Sequence, residues 1–145
     1  IRSDGALEWL AFALTNNKVS FYNDLNDWCR SNSIKMHEIG HNMNLGHSGE
    51  GKVIDDSTGL MGLSFREVGT AEGFARMCFN AAKNYQLGWY ENQQLSVNPL
   101  TDIVAAREYS LVGVNRYTLG GDTSKLVVLR LLCPDLSFDG PNDYH

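Results

Sequence analysis

The sequence lacks both long apolar runs and an excess of basic residues. No segment approaches the ~18 continuous apolar residues of a membrane span, and Arg130 interrupts the longest apolar run, 126–133. The 145 residues include 12 basic and 17 acidic side chains, and the basic ones are scattered. This distribution excludes a nucleic-acid-binding surface. The 43% hydrophobic content also excludes intrinsic disorder, so we expect an ordinary globular protein.

Cysteine is also scarce, and its scarcity excludes a disulfide scaffold. Three cysteines are present, a number compatible with one disulfide and one leftover thiol. Cys29 and Cys78 flank the most informative segment of the chain, so we expect them to pair and Cys133 to be free. Three reduced cysteines are the alternative, because spacing alone does not fix connectivity.

An initiator methionine and a signal peptide are missing from the start of the chain, which reads Ile1-Arg2-Ser3. We therefore expect a fragment or a processed product of a longer protein. No internal repeat and no low-complexity segment is present. The length alone favours a single domain.

The first half of the chain predicts a hairpin followed by a helix. Residues 9–14 are apolar, 15–18 form a turn cluster, and 19–22 alternate as in a strand. Apolar residues at helical spacing then predict a helix over 34–44, with its apolar face at Met36, Ile39, Gly40 and Met43. Ser31 or Ser33 is the expected N-cap of this helix.

The second half predicts one more helix and several strands. Asn80 is expected to cap a helix over 81–87, which Gly88 ends. Runs of β-forming residues, separated by glycine and proline, predict strands over 94–97, 109–114 and 125–132.

The motif that carries chemistry is H-E-x-x-H followed by a third histidine: His37, His41 and His47. Helix positions i and i+4 are neighbours, so His37 and His41 can direct both imidazoles at one point. Zn²⁺ takes such nitrogen ligands in tetrahedral geometry, and a turn over 44–46 can return His47 to the same ion. Three protein ligands leave the fourth position for water, which is typical of a catalytic zinc site.

Glu38 follows the first histidine directly and is expected to lie beside the metal. Its carboxylate can take a proton from the metal-activated water and pass it to the leaving amine. The pattern therefore predicts metal-assisted peptide hydrolysis. Two alternatives stay open: a helix whose histidines hold no metal, and a closed structural site with Asp55 or Asp56 as the fourth ligand.

The segment 37–50 resembles the metzincin zinc motif H-E-x-x-H-x-x-G-x-x-H. Together with 77–90, which includes Met-Cys-Phe-Asn-Ala-Ala-Lys and Gln-Leu-Gly-Trp-Tyr, it is similar to the gametolysin family of secreted metallopeptidases. The resemblance implies an extracellular zinc endopeptidase that acts on proteins or glycoproteins of the matrix or cell wall. It also implies that His37, His41 and His47 bind Zn²⁺ and that Glu38 is the general base.

Metzincins also carry a turn whose methionine lies beneath the metal, and Met61 resembles it; an ordinary core methionine is the alternative.

Two positions depart from the metzincin pattern. Asn44 stands at the glycine of the motif, and asparagine is the best non-glycine residue for a left-handed conformation. Leu63 stands where some metzincins have tyrosine, so a transition-state donor must come from elsewhere. Tyr85 and Tyr90 are candidates, with core packing as the alternative.

The fold class that follows is α+β, a metzincin-like zincin catalytic domain. Because 36 residues precede His37, enough for one hairpin, we expect most of the N-terminal sheet subdomain to be missing. Residues 1–92 are predicted to form this truncated peptidase domain, and 93–145 a β-rich segment packed on it or following it. The alternatives to a zinc endopeptidase are a degenerate metzincin that binds metal without peptidase activity and a non-enzymatic matrix-binding module.

Overall fold

The computed structural model describes residues 9–24, 29–49, 54–62, 77–102, 105–117 and 122–132. Helices and strands are mixed in this part of the chain, as the α+β prediction requires. Backbone proximity divides the chain into two compact units, Ile1–Met77 and Cys78–Tyr144. The predicted division of folding domains between residues 92 and 93 stays a prediction. None of the described helices is long and apolar enough to cross a membrane.

The first unit begins with the predicted hairpin. Strands β1 (Ala11–Ala13) and β2 (Ser20–Tyr22) are antiparallel and place Phe12 opposite Phe21. The two rings stack with their centroids 4.7 Å apart, an aromatic cross-strand pair that stabilises the register. Both strands pack against the helix that follows.

That helix, α1 (Asn32–Asn42), begins where the sequence places an N-cap. The Ser31 side chain accepts a hydrogen bond from the backbone N–H of Ile34 at 3.3 Å. Of the predicted apolar face, however, Met36 and Ile39 are exposed, at 37% and 40%, whereas Gly40 is buried and Met43 is half-buried. The helix instead buries the side that carries Ile34, His37 and Glu38. It therefore buries polar groups, each of which needs a specific partner or a function.

The end of α1 reverses the chain through two backbone hydrogen bonds. The Asn44 N–H donates to the carbonyl of His41 at 2.9 Å, and the Leu45 N–H donates to the carbonyl of Gly40 at 3.0 Å. Asn44 has φ 68°, the left-handed conformation that this type of helix end requires. Leu45 is fully buried and fixes the turn. Asparagine thus replaces the glycine of the motif without loss of the turn.

The second unit contains the second predicted helix, with the predicted caps. Helix α2 (Ala81–Gln86) is capped by Asn80, whose side chain accepts from the Lys83 N–H at 3.0 Å. Gly88 follows the helix with φ 69°, a conformation that glycine adopts without strain.

A parallel pair of strands packs beside α2. Strand β3 (Gln94–Val97) lies where it is predicted, and β4 (Val128–Leu131) occupies the second half of the predicted segment 125–132. The predicted strand over 109–114 is wrong: the structure has one bridge there, between Leu111 and Leu126, followed by a 3₁₀ turn over Val114–Arg116. Gly113 interrupts this segment, and glycine weakens a strand interior.

Candidate metal centre

The three motif histidines lie together in the first unit. Their ligand nitrogens all fall within 4.8 Å of one another, a group that could hold a metal ion. The Nε2 atoms of His41 and His47 are 3.1 Å apart. Bonds of ~2.0–2.1 Å at a tetrahedral angle place two ligand nitrogens about 3.3 Å apart, so this spacing fits one shared ion.

Backbone carbonyls hold two of the imidazoles in place. Nδ1 of His37 lies 2.6 Å from the carbonyl oxygen of Leu60, and Nδ1 of His41 lies 2.8 Å from that of Leu45. A carbonyl only accepts hydrogen bonds, so each ring carries its proton on Nδ1 and donates it. The Nε2 lone pairs of both rings are therefore available to a metal, and the hydrogen bonds at Nδ1 fix the ring orientations.

The environment of His37 keeps its imidazole neutral. Burial is the main cause that lowers the pKa of His37 from 6.5 to about 4, and the neighbouring His41 and His47 contribute in the same direction. The hydrogen bond to the Leu60 carbonyl opposes these effects. A neutral imidazole is the form that binds a metal, so His37 needs to lose no proton at neutral pH.

Glu38 presents a buried carboxylate on the same side of α1 as His37. Within the described part of the chain, its Oε2 atom has no hydrogen-bond partner. Desolvation raises the pKa of Glu38 from 4.5 to about 7. Unsatisfied buried acceptors are rare in proteins, so this carboxylate, which directly follows a candidate ligand in the sequence, is unusual. Its role as a general base stays a prediction.

The histidine cluster is open on one side. His37 is buried, His41 is half-buried and His47 is exposed. Among the described residues the group has three members, and neither Asp55 nor Asp56 is one of them. The Asp56 carboxylate instead accepts hydrogen bonds from the Thr58 backbone N–H and hydroxyl at 2.7 and 2.6 Å. These observations favour an open site over the closed structural alternative.

The chain turns at Met61, which is buried. The Gly62 N–H donates to the carbonyl of Gly59 at 3.1 Å, and the Met61 carbonyl accepts from the Ser48 N–H at 2.9 Å. Because Leu60 in this turn also accepts from His37, the turn is bonded to both ends of the histidine motif. The role of Met61 as the floor of a metal site stays a prediction.

Gly62 is expected to be indispensable to this turn. A Cβ at this position would lie 1.7 Å from the carbonyl oxygen of Asp56, so Gly62→Ala must displace the backbone. We expect a loss of about 2–3 kcal/mol or more in the free energy of unfolding, measured by urea denaturation. The matched control is Gly46→Ala, whose Cβ would meet no atom within 4 Å. Equal denaturation midpoints for the two variants would contradict this account of the turn.

The remaining predicted residues lie in the second unit or outside the described residues. Tyr85 accepts a hydrogen bond from Arg130 at 3.1 Å, and the Tyr90 ring packs against Tyr117 at 4.8 Å, both within the second unit. Their role as transition-state donors stays a prediction. Leu63 and Cys133 lie outside the described residues.

Both cysteines of the expected disulfide are thiols in this structure. Cys29 donates to the Asp24 carboxylate at 2.7 Å, and Cys78 is exposed at the start of the second unit. The Cys29–Cys78 pair is therefore not formed here, and it stays a prediction for the oxidised protein.

Three other contributors to the site were not identified from the sequence. The carbonyls of Leu45 and Leu60 belong to the backbone, which has no side-chain signature. Asn42, which follows the second histidine directly, bonds the end of α1 to the hairpin. A polar residue in the last turn of a short helix is a weak signal, because such positions are commonly polar.

The helix with H-E-x-x-H and the turn to a third histidine bring together a group of side chains that could hold a metal ion. The chain belongs to the family described as gametolysin peptidase M11, whose family model matches residues 6–141. This match confirms the resemblance seen in the sequence. No curated protein and no solved structure matches the chain.

Proposed function

We propose that the chain is a zinc-dependent endopeptidase that hydrolyses peptide bonds of extracellular or cell-wall proteins and glycoproteins. The observation that carries this proposal is the cluster of three histidine nitrogens within 4.8 Å, built on the helix that buries Glu38. Membership of a metallopeptidase family supports the hydrolytic reaction. The extracellular substrate class follows from the resemblance to gametolysins.

The donor set supports zinc as the metal. Imidazole nitrogens suit zinc, copper, iron and nickel, and three of them with an open fourth position are typical of catalytic zinc. When bound, zinc acts as a Lewis acid that makes water nucleophilic near pH 7 and polarises the scissile carbonyl. His37, His41 and His47 would hold it, with Leu60 and Leu45 keeping two of the rings in orientation.

Glu38 is assigned the proton transfers. A carboxylate takes a proton from the attacking water and delivers it to the nitrogen of the leaving amine. A pKa of about 7 allows both steps near neutral pH, because neither the charged nor the neutral form is strongly disfavoured. The same burial that raises this pKa keeps competing hydrogen bonds away from Oε2.

Metal content and metal dependence test the proposal together. After dialysis, mass spectrometry of the purified chain is expected to find about one zinc per molecule. Hydrolysis of a quenched fluorescent peptide library is expected to stop with 1,10-phenanthroline and to return with stoichiometric zinc. A folded chain without zinc would overturn the proposal. A zinc-loaded chain without turnover would favour the degenerate metzincin instead.

A further inference from the structure

Asn42 is the last residue of α1, and its side chain is directed into the hairpin rather than the metal site. The amide nitrogen Nδ2 donates to the carbonyls of Leu14 and Val19 at 3.1 and 3.0 Å. The amide oxygen Oδ1 accepts from the Ser20 hydroxyl at 2.6 Å. Both N–H groups and the oxygen of the amide are thus engaged, and every partner belongs to the hairpin.

A fourth bond joins the hairpin to the backbone of a candidate ligand. The N–H of Asn16, at the hairpin turn, donates to the carbonyl of His41 at 3.0 Å. That carbonyl also accepts from Asn44, in the reversal that ends α1. The carbonyls of a last helical turn have no partners within the helix, so such bonds keep the turn from fraying.

The hydrogen bonds continue from the end of α1 to the imidazole of His41. The reversal at Asn44 places the Leu45 carbonyl against Nδ1 of His41. The same reversal leads the chain to His47, whose Nε2 lies 3.1 Å from that of His41. The hairpin, the helix end, the reversal and the His41 imidazole are therefore connected by consecutive hydrogen bonds, and the backbone of the reversal continues from there to His47. His37 is held separately, by Leu60.

We propose that Asn42 is a positioning residue that fastens the hairpin to the end of α1 and thereby sets the geometry of the His41–His47 half of the metal site. The inference rests on the proposed zinc function. Asn42 itself touches neither metal nor substrate in this role. Loss of its side chain would remove one partner each from the Leu14 carbonyl, the Val19 carbonyl and the Ser20 hydroxyl. The backbone bond from Asn16 to the His41 carbonyl would then be left to hold the last turn of α1 to the hairpin.

The test is zinc affinity, measured by chelator competition at a temperature where every variant is folded. Asn42→Ala is expected to weaken zinc binding by roughly 10–100-fold, the range for residues that orient metal ligands. The absorption spectrum of the Co²⁺-substituted protein is expected to change as well, because the ligand geometry changes. A merely structural role would lower the melting temperature and leave both readouts unchanged.

Asn17→Ala is the matched control. It makes the same substitution in the same hairpin. Within the part of the chain that the structure describes, the Asn17 side chain accepts one local bond, from the Lys18 N–H at 2.7 Å, and makes none to α1. We expect wild-type zinc affinity and a wild-type Co²⁺ spectrum. Equal zinc affinities for Asn42→Ala and Asn17→Ala would overturn the inference.

A second variant keeps the inference testable if Asn42→Ala does not fold. Ser20→Ala removes one of the three bonds to the amide, and we expect zinc affinity to fall by roughly 2–5-fold, as for one lost hydrogen bond. Unchanged affinity in this variant would count against the inference. Wild-type protein that binds no zinc would instead overturn the proposed function, and the inference with it.

Discussion

Glu38→Gln is expected to bind zinc as the wild-type protein does and to lose nearly all peptidase activity. Glutamine keeps the shape of the side chain, but it cannot take a proton from water or deliver one to a leaving amine. General acid–base catalysis contributes typically 10²–10⁴-fold to rate, so kcat/KM is expected to fall by that factor. Peptide hydrolysis and zinc content, measured on the same preparation, check both halves of the expectation.

The control for this variant is Glu91→Gln, an identical change at an exposed position of the second unit. It is expected to retain wild-type activity. Substantial activity in Glu38→Gln would remove Glu38 from the role of general base. Loss of zinc from Glu38→Gln would mean that the carboxylate helps to assemble the site, and the loss of activity would then not report on proton transfer.

Local structure followed from the sequence wherever short-range chemistry determines it. Asn80 caps the start of α2 and Gly88 follows its end, as predicted. Both could be predicted because a capping amide and a left-handed glycine act within one turn of the helix. The pairing of β3 with β4 could not be read in this way. The two strands are parallel and separated by residues 98–127, so their register depends on packing between distant parts of the chain.

The face of α1 shows where pattern reasoning fails. Hydrophobic periodicity located the helix, but the apolar positions Met36 and Ile39 are exposed. The buried side carries His37 and Glu38, which a hydrophobicity pattern scores as solvent-facing. The polar side chains of α1 are buried in place of two of its apolar ones, and such departures from the usual pattern are expected at functional sites. The H-E-x-x-H spacing was therefore a better guide to this helix than its hydrophobicity.

The three candidate ligands could be predicted from their spacing in the sequence, whereas the backbone carbonyls that orient their rings could not. His37 and His41 are one helical turn apart, so their proximity follows from helix geometry alone. The position of His47 depends on the reversal at Asn44, which the sequence allowed but did not require. The carbonyls of Leu45 and Leu60 reach the rings only because the chain folds back twice on α1.

His47→Ala is expected to release the metal. His37 and His41 alone supply half of a tetrahedral set, and the third imidazole is the one that the reversal at Asn44 brings to them. Removing a ligand is expected to weaken zinc binding by more than the roughly 10–100-fold that follows loss of a supporting residue. Dialysed His47→Ala is therefore expected to hold little zinc by mass spectrometry and to hydrolyse no peptide.

The matched control is His145→Ala, the same change at the one histidine outside the motif. It is expected to retain both zinc and activity. His47 is exposed, so its loss is expected to leave the fold intact, and circular dichroism checks this. If His47→Ala kept its zinc, the third ligand would have to be another side chain, and the closed site with Asp55 or Asp56 would return as the better account. Glu38→Gln loses turnover with the metal in place, whereas His47→Ala loses both, and only the peptidase proposal requires that pair of results.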